Sequence, residues 1–270
     1  MKKEAIVVAI LAMAISGAIP LTNIVHASCS PAPCREGDAL WTASNLSTPT
    51  TQQIGGTPTF TFSNTKVAVL VHVVTTGLLS NQPTMSDTLG LTYTAKDTNV
   101  GTNGCVSSQA MCDQFYFATY TCKHNCSAVS DTLSITFASV GTIGNVMVYT
   151  VAISGITTLT NWTETLHSSG GKTTTALTGS FKAVAFWSAY YNASGTGNPN
   201  TGPFNTVAFQ NTTPIISSGF NNVGTIGQIR GDREITTTNA QSDFNPLFEN
   251  GPVITYGVAL PYTAIIIGLS

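Results

Sequence analysis

Charge is what this chain has least of. Of its 270 residues only 8% are Asp, Glu, Lys or Arg, against about 25% in an average soluble domain. Ten basic and twelve acidic residues leave a formal net charge of −2. No Lys/Arg run, basic patch or acidic tail stands out, which argues against nucleic acid and anionic lipid as partners. Few native ion pairs can then be lost by protonation, so stability is expected to depend weakly on pH and to suit an acidic or harsh exterior.

Sustained 3.6-residue apolar periodicity is also missing, and with it any expectation of helix. Fixed-period repeats are not evident, which weakens propeller and solenoid readings. The chain has no G-x-S-x-G elbow, no H-E-x-x-H pair and no Gly-rich phosphate loop. Its histidines beyond residue 27, His72, His124 and His167, are scattered. His72 lies inside an apolar strand and reads as a hydrogen-bonded core residue rather than a base. Glu164, Asp232 and Glu234 are the obvious carboxylates for glycoside hydrolysis, yet nothing in their spacing favours that over solvated loop acids. No cofactor and no metal is expected.

What is present begins with Met1–Ala27. Lys2 and Lys3 open it, Ala5 to Ile19 is an apolar run, and Val25-His26-Ala27 places small residues at the −3 and −1 positions. That order is the pattern of a secretory signal peptide, residues 1–27, cut before Ser28. The run is too short for a comfortable membrane span, and Pro20 ends it; an uncleaved N-terminal anchor is the rival reading. Losing Lys2, Lys3 and Glu4 leaves eight basic and eleven acidic groups, a net charge of about −3. The expected location is secreted or cell surface, with no transmembrane span beyond the signal.

The rest reads as β-structure. Thr is the commonest residue, and with Val, Ile, Tyr and Phe it suits a pleated, half-buried surface, punctuated by 24 Gly and 12 Pro. Residues 28–56 read as an extended N-terminal segment with little periodicity, and residues 57–270 as a single β-sandwich domain. Strand-like runs follow at Thr57–Ser63, Lys66–Thr76, Leu91–Asp97, Gln114–Thr121, Asp131–Ala138 and Asn145–Gly155. After Gly170-Gly171 come Thr173–Gly179, Phe181–Tyr191, Phe204–Gln210, Pro214–Ser218, Arg233–Asn239, Val253–Leu260 and Tyr262–Leu269. Lys66–Thr76 is nearly all apolar, as expected of a strand covered on both faces. About a dozen strands at this spacing predict an all-β, two-sheet antiparallel β-sandwich.

Four segments of the middle, Ser86–Asp97 (SDTLGLTYTAKD), Phe115–Thr121 (FYFATYT), Ser130–Ala138 (SDTLSITFA) and Val146–Gly155 (VMVYTVAISG), resemble a secreted β-sandwich domain of uncharacterised archaeal and bacterial exported surface proteins. The likeness covers about two-thirds of the chain after residue 27, more loosely in its second half. It implies a jelly-roll-like sandwich and an extracellular setting. Its motifs are strand patterns, so it brings no catalytic residues, and the cysteine-bearing loops depart from it.

All six cysteines follow residue 27, an even number in a chain read as exported, so disulfides are expected. Cys105 and Cys112 precede the strand Gln114–Thr121, and Cys122 and Cys126 follow it. The strand holds its ends about 25 Å apart, whereas a disulfide needs Cα atoms within about 7 Å. The expected pairs are therefore local, Cys105–Cys112 and Cys122–Cys126, leaving Cys29–Cys34. A metal site at Cys122-Lys-His124-Asn-Cys126 is the rival. Sequons at Asn45, Asn125, Asn161, Asn192 and Asn211 are candidate glycosylation sites. Arg230-Gly231-Asp232 spells an adhesion tripeptide and is read as a turn with a charged rim.

Trp41, Trp162, Trp187, Tyr190 and Tyr191 could stack on sugars. Trp187 alternates with apolar neighbours and reads as core; Trp162, between Gly/Ser/Thr-rich stretches, is the better glycan-stacking candidate. The functional expectation is an exported or cell-surface, non-enzymatic structural or adhesion module, glycan-contacting or self-assembling. Its partner would be an extracellular glycan or protein, or a second copy through strand exchange by residues 28–56. The alternative is a secreted carbohydrate-active enzyme of glycoside hydrolase type.

Overall fold

A computed structural model describes residues 33–54, 59–62, 66–77, 79–96, 105–106, 111–123, 129–167, 177–191, 204–209, 222–226, 229–244, 246–250 and 262–270. Residues 1–27, Cys29, Cys126, Asn125, Asn192 and Asn211 lie outside these, as do Pro214–Ser218 and Val253–Leu260. Everything described is strand, turn or loop; among the described residues there is no helix, and none that could cross a membrane.

The first sheet is organised around β3 (Lys66–Thr76). On one side β3 pairs antiparallel with β8 (Val129–Ser154), and on the other with β7 (Met111–Thr121). Apart from Lys66 every residue of β3 is buried, which bears out the expectation of a strand covered on both faces. Its side chains divide by parity, as the two-residue repeat of a strand requires. Val67, Val69, Val71 and Val73 enter one core with Phe60, Phe62, Leu133, Ile135 and Phe137. Ala68 and Leu70 enter another with Phe115, Val151, Ile153, Trp187, Ile265 and Ile267.

One strand supplies two layers. In β8, residues 131–137 alternate buried and half-buried, whereas residues 146–154 are buried throughout. The first part pairs with β2 (Thr59–Phe62) and β4 (Thr84–Asp87), the second with β3. Expected as separate strands, Asp131–Ala138 and Asn145–Gly155 are thus one chain that bends where Gly141 takes φ +136°. Just beyond, Gly144 leaves room for Thr76, whose hydroxyl accepts from Asn145 N at 2.8 Å; a Cβ on Gly144 would meet that hydroxyl. The alternating half covers one face of β3, and the fully apolar half lies beside it.

β1 (Cys34–Gln53) lies within residues 28–56, read from the sequence as an extended segment with little periodicity, and is a strand. It runs antiparallel along β8 from Cys34↔Ser154 to Gln53↔Ser134, with register shifts at Arg35/Gly37 and Thr48/Thr50. The path of the sheet is β1-β8-β3-β7-β5, with β5 at Thr94–Lys96 and β6 (Cys105–Val106) attached to β7. β1 is therefore an edge strand of the same sheet.

The second sheet has five strands in the order β12-β13-β10-β15-β9, all antiparallel: β9 (Leu159–His167), β10 (Leu177–Tyr191), β12 (Asn222–Ile226), β13 (Ile229–Phe244) and β15 (Tyr262–Leu269). A small pair, β11 (Phe204–Phe209) and β14 (Pro246–Asn250), stands apart from it. Ala183, Ala185 and Trp187 of β10 alternate inward with Ile265, Ile267 and Leu269 of β15, against the second face of β3. Phe181 packs directly over Gly268, where any Cβ would strike its ring.

Candidate functional site

The second face of β3 carries the most unusual chemistry of the described chain. After Ala68 and Leu70 the inward position is His72, fully buried. Its ring lies parallel to Trp187 from the opposite sheet, with centroids 5.0 Å apart and planes 2° apart, and it stacks on Tyr149 across the β3–β8 pairing at 5.9 Å. This clamp fixes the imidazole plane and aims Nε2 at Asp113 Oδ1, with which it shares a hydrogen bond. Asp113 lies on β7 one diagonal step from His72, because β3 and β7 pair His72↔Phe115 and Val74↔Asp113. Its other oxygen, Oδ2, accepts from the hydroxyl of Thr263 on β15.

His72, Asp113 and Thr263 are each 0% exposed. The chain of contacts thus runs from the first sheet to the second through a layer that is apolar apart from Glu164. Both carboxylate oxygens of Asp113 are satisfied, which is the condition for keeping such a group in an apolar interior. His72 Nδ1 and Trp187 Nε1 have no hydrogen-bond partner. Glu164 of β9 is also buried, at 2% exposure, opposite Ile265.

A second polar cluster sits under the β4 end of the first sheet, and it is built from the two Ser-Asp-Thr-Leu tetrapeptides. β4 and β8 pair Asp87↔Leu133 and Ser86↔Ser134, which brings the tetrapeptides side by side. Asp87 accepts from Leu91 N and from the Tyr93 hydroxyl, both at 2.9 Å. Asp131 Oδ1 accepts from Thr88 N at 3.2 Å and Thr88 Oγ1 at 3.1 Å, and Thr88 Oγ1 in turn accepts from Thr132 N at 3.0 Å. Asp131 Oδ2 is buried with no hydrogen-bond partner. Burial first, and the Asp87 charge second, push the Asp131 carboxyl up to about 6. Tyr93 is raised above the usual phenol range, by burial first and then by Asp87 and Asp131. The expectation of weak pH dependence therefore meets at least one buried carboxyl that titrates in the acid range.

The structure pairs Cys105 with Cys112 across β6 and β7, as the local-pair argument expects. Cys122 is also disulfide-bonded; Cys126 lies outside the described residues, as does the side chain of Cys34. Among the described residues no three His, Cys, Asp or Glu side chains are grouped to hold a metal ion. Asn45 is exposed on β1 with φ 53°. Asn161 is half-buried on β9, where its side-chain oxygen accepts from Trp162 N at 2.9 Å.

Trp162, the glycan-stacking candidate, is half-buried in β9, edge-on to Phe115 at 5.3 Å, and joins the apolar layer between the sheets. Two expectations are corrected. Arg230-Gly231-Asp232 is not a turn: the tripeptide lies within β13, and Gly231 pairs with Ala189 on one side and Gly224 on the other. Glu164 is not a solvated loop acid, and its strand β9 is separated from β13, which carries Asp232 and Glu234, by β15 and β10. Three strand spacings put those backbones about 14 Å apart. Asp113 and Thr263, the two residues that complete the buried relay, were not singled out in the sequence. The one available signal was His72 itself, since an imidazole in an apolar strand requires a polar partner.

Comparison with known proteins finds no matching family model, no matching curated protein and no matching solved structure.

Proposed function

We propose that this chain is an exported or cell-surface structural module, a jelly-roll-like sandwich that works by contact and assembles through its sheet edge. The observation that carries this reading is β1. Twenty residues long, it borders the first sheet and pairs with β8 on one side only; among the described residues no strand takes its other side. An edge of that length templates addition of a further strand. A second copy of the chain is the partner of choice, because a surface with so few charges presents no strong electrostatic selector for anything else.

Three further features support it. The low charge and the Thr-rich surface fit an exterior protein that owes little to ion pairs. A disulfide bridges β6 and β7 at Cys105–Cys112, and such bonds persist in oxidising compartments. Asn45, exposed on β1 and followed by Leu46-Ser47, is placed to carry a glycan on the same edge, which would limit where addition can occur.

Electron microscopy and sizing of the purified protein over rising concentration test the reading. Filaments or ordered oligomers are expected. Monodisperse monomers at every concentration would overturn it.

A further inference from the structure

The buried relay between the sheets asks for more than a packing account. On β15 the inward positions read Thr263, Ile265, Ile267, Leu269, and three of the four are purely apolar. A hydroxyl at the fourth rests on the carboxyl oxygen Asp113 Oδ2, in a layer where neither residue reaches water. The imidazole of His72, locked between Trp187 and Tyr149, touches the opposite oxygen of the same carboxyl. A hydroxyl, a carboxyl and a base are thereby held together in a dry site by strands of two different sheets.

We propose that Thr263 and Asp113 condense to an intramolecular ester, a covalent bond between the two sheets that is independent of how the chain assembles with copies of itself. Thr263 Oγ1 forms a bond to the side-chain carboxyl carbon of Asp113, and the bond from that carbon to Oδ1 breaks. The step starts with the proton shared by the pair on Asp113 Oδ1 and the imidazole proton on Nδ1. Oδ1 departs as water, carrying its own proton and the proton lost from the Thr263 hydroxyl. His72 keeps its Nδ1 proton, passes the hydroxyl proton through Nε2 and ends as it began. No electron is transferred and no co-reactant is consumed.

Two physical effects drive the reaction forward. Fixing nucleophile and carboxyl in contact raises their effective concentration to as much as about 10⁵–10⁸ M. The apolar layer also disfavours the reverse reaction, since returning water must enter among Leu70, Ile153, Ile265 and Ile267. His72 acts as a positioning and proton-relaying residue, and the aromatic clamp that holds its ring is part of the device.

The test is the mass of tryptic peptides from the native protein after unfolding, reduction and alkylation. Cleavage after Lys96, Lys123 and Arg233 releases residues 97–123, which contain Asp113, and residues 234–270, which contain Thr263. Neither peptide contains an Asn-x-Ser/Thr sequon or retains a disulfide after reduction, so nothing else should join them. The expected result is one species lighter than the sum of the two by one water, fragmenting to a link between Asp113 and Thr263, and separated by alkaline hydroxylamine. Thr263→Val should give two separate peptides, and Thr263→Ser should restore the link. Two separate peptides of full mass from the native protein would overturn the proposal, as would a joined species that hydroxylamine leaves intact.

Discussion

Asp113 and Asp131 are both fully buried aspartates on strands of the first sheet, yet they are held in opposite ways. Asp113 has a partner on each oxygen, one from its own sheet and one from the sheet opposite. Asp131 draws its donors from one turn of its own sheet, Thr88 N and Oγ1 on one oxygen and the Leu89 backbone beside them, and its Oδ2 is buried without a hydrogen bond in good geometry. Its neighbour Asp87 adds like charge, while Asp113 faces an imidazole and a hydroxyl. The difference lies in the supply of donors rather than in depth. A buried carboxyl whose lone pairs are not met prefers to be protonated, as at Asp131.

The largest effect is expected at the satisfied site. Asp113→Ala strands His72 and Thr263 in the apolar layer and should cost about 3–5 kcal/mol, read from urea unfolding. Destabilisation under about 1 kcal/mol would mean that the relay contributes little to holding the sheets.

Next comes the pH profile of the unsatisfied site. The folded carboxyl of Asp131 is raised to about 6 from an ordinary 3.8. Between these values the folded state binds more protons than the unfolded one. Its stabilising contribution is therefore fully present below about pH 4 and is lost as pH rises through 6, by about 2 kcal/mol after discounting for partial screening. The melting temperature should rise on acidification from pH 7 to 4, and Asp131→Asn should remove that rise. A steep fall between about pH 5 and 3 would instead show that other carboxylates dominate.

Two smaller effects sharpen the contrast. Measured against protein in which the ester has not formed, Thr263→Val keeps shape but removes one donor from Asp113, at about 1–3 kcal/mol in the same unfolding assay. Tyr93→Phe removes the hydroxyl that Asp87 accepts; Asp87 keeps Leu91 N, so the loss should be about 0.5–1.5 kcal/mol. Equal losses for the two would erase the distinction between a dry interior and a half-buried rim.

Much of the strand framework was legible because it rests on local pattern. The unbroken apolar run at β3 and the alternation through Leu133, Ile135 and Phe137 are signals that a strand's burial imposes directly. β1 was not legible as a strand. As an edge strand it is half-exposed on both faces along much of its length, so Ser, Thr and Asn replace the alternation a reader looks for. β9 was lost for the same reason: Thr160, Asn161 and Thr163 hide its inward Trp162 and Glu164.

The polar clusters divide similarly. The repeated Ser-Asp-Thr-Leu is visible in the text, and the structure sets its two copies together across β4 and β8. The relay is invisible there, because Asp113 is 41 residues from His72 and Thr263 a further 150 away. Only the folded sheets bring such distances to contact, and no local propensity encodes them.

One substitution made at both sites shows whether donor supply, not burial, sets the role of each aspartate. Asp113→Asn and Asp131→Asn should be unfolded in urea side by side at pH 8. Opposite signs are expected: a clear loss for Asp113→Asn, whose amide offers one acceptor oxygen in place of two, and a gain for Asp131→Asn, which removes an underpaired charge. Losses of similar size at both positions would contradict it.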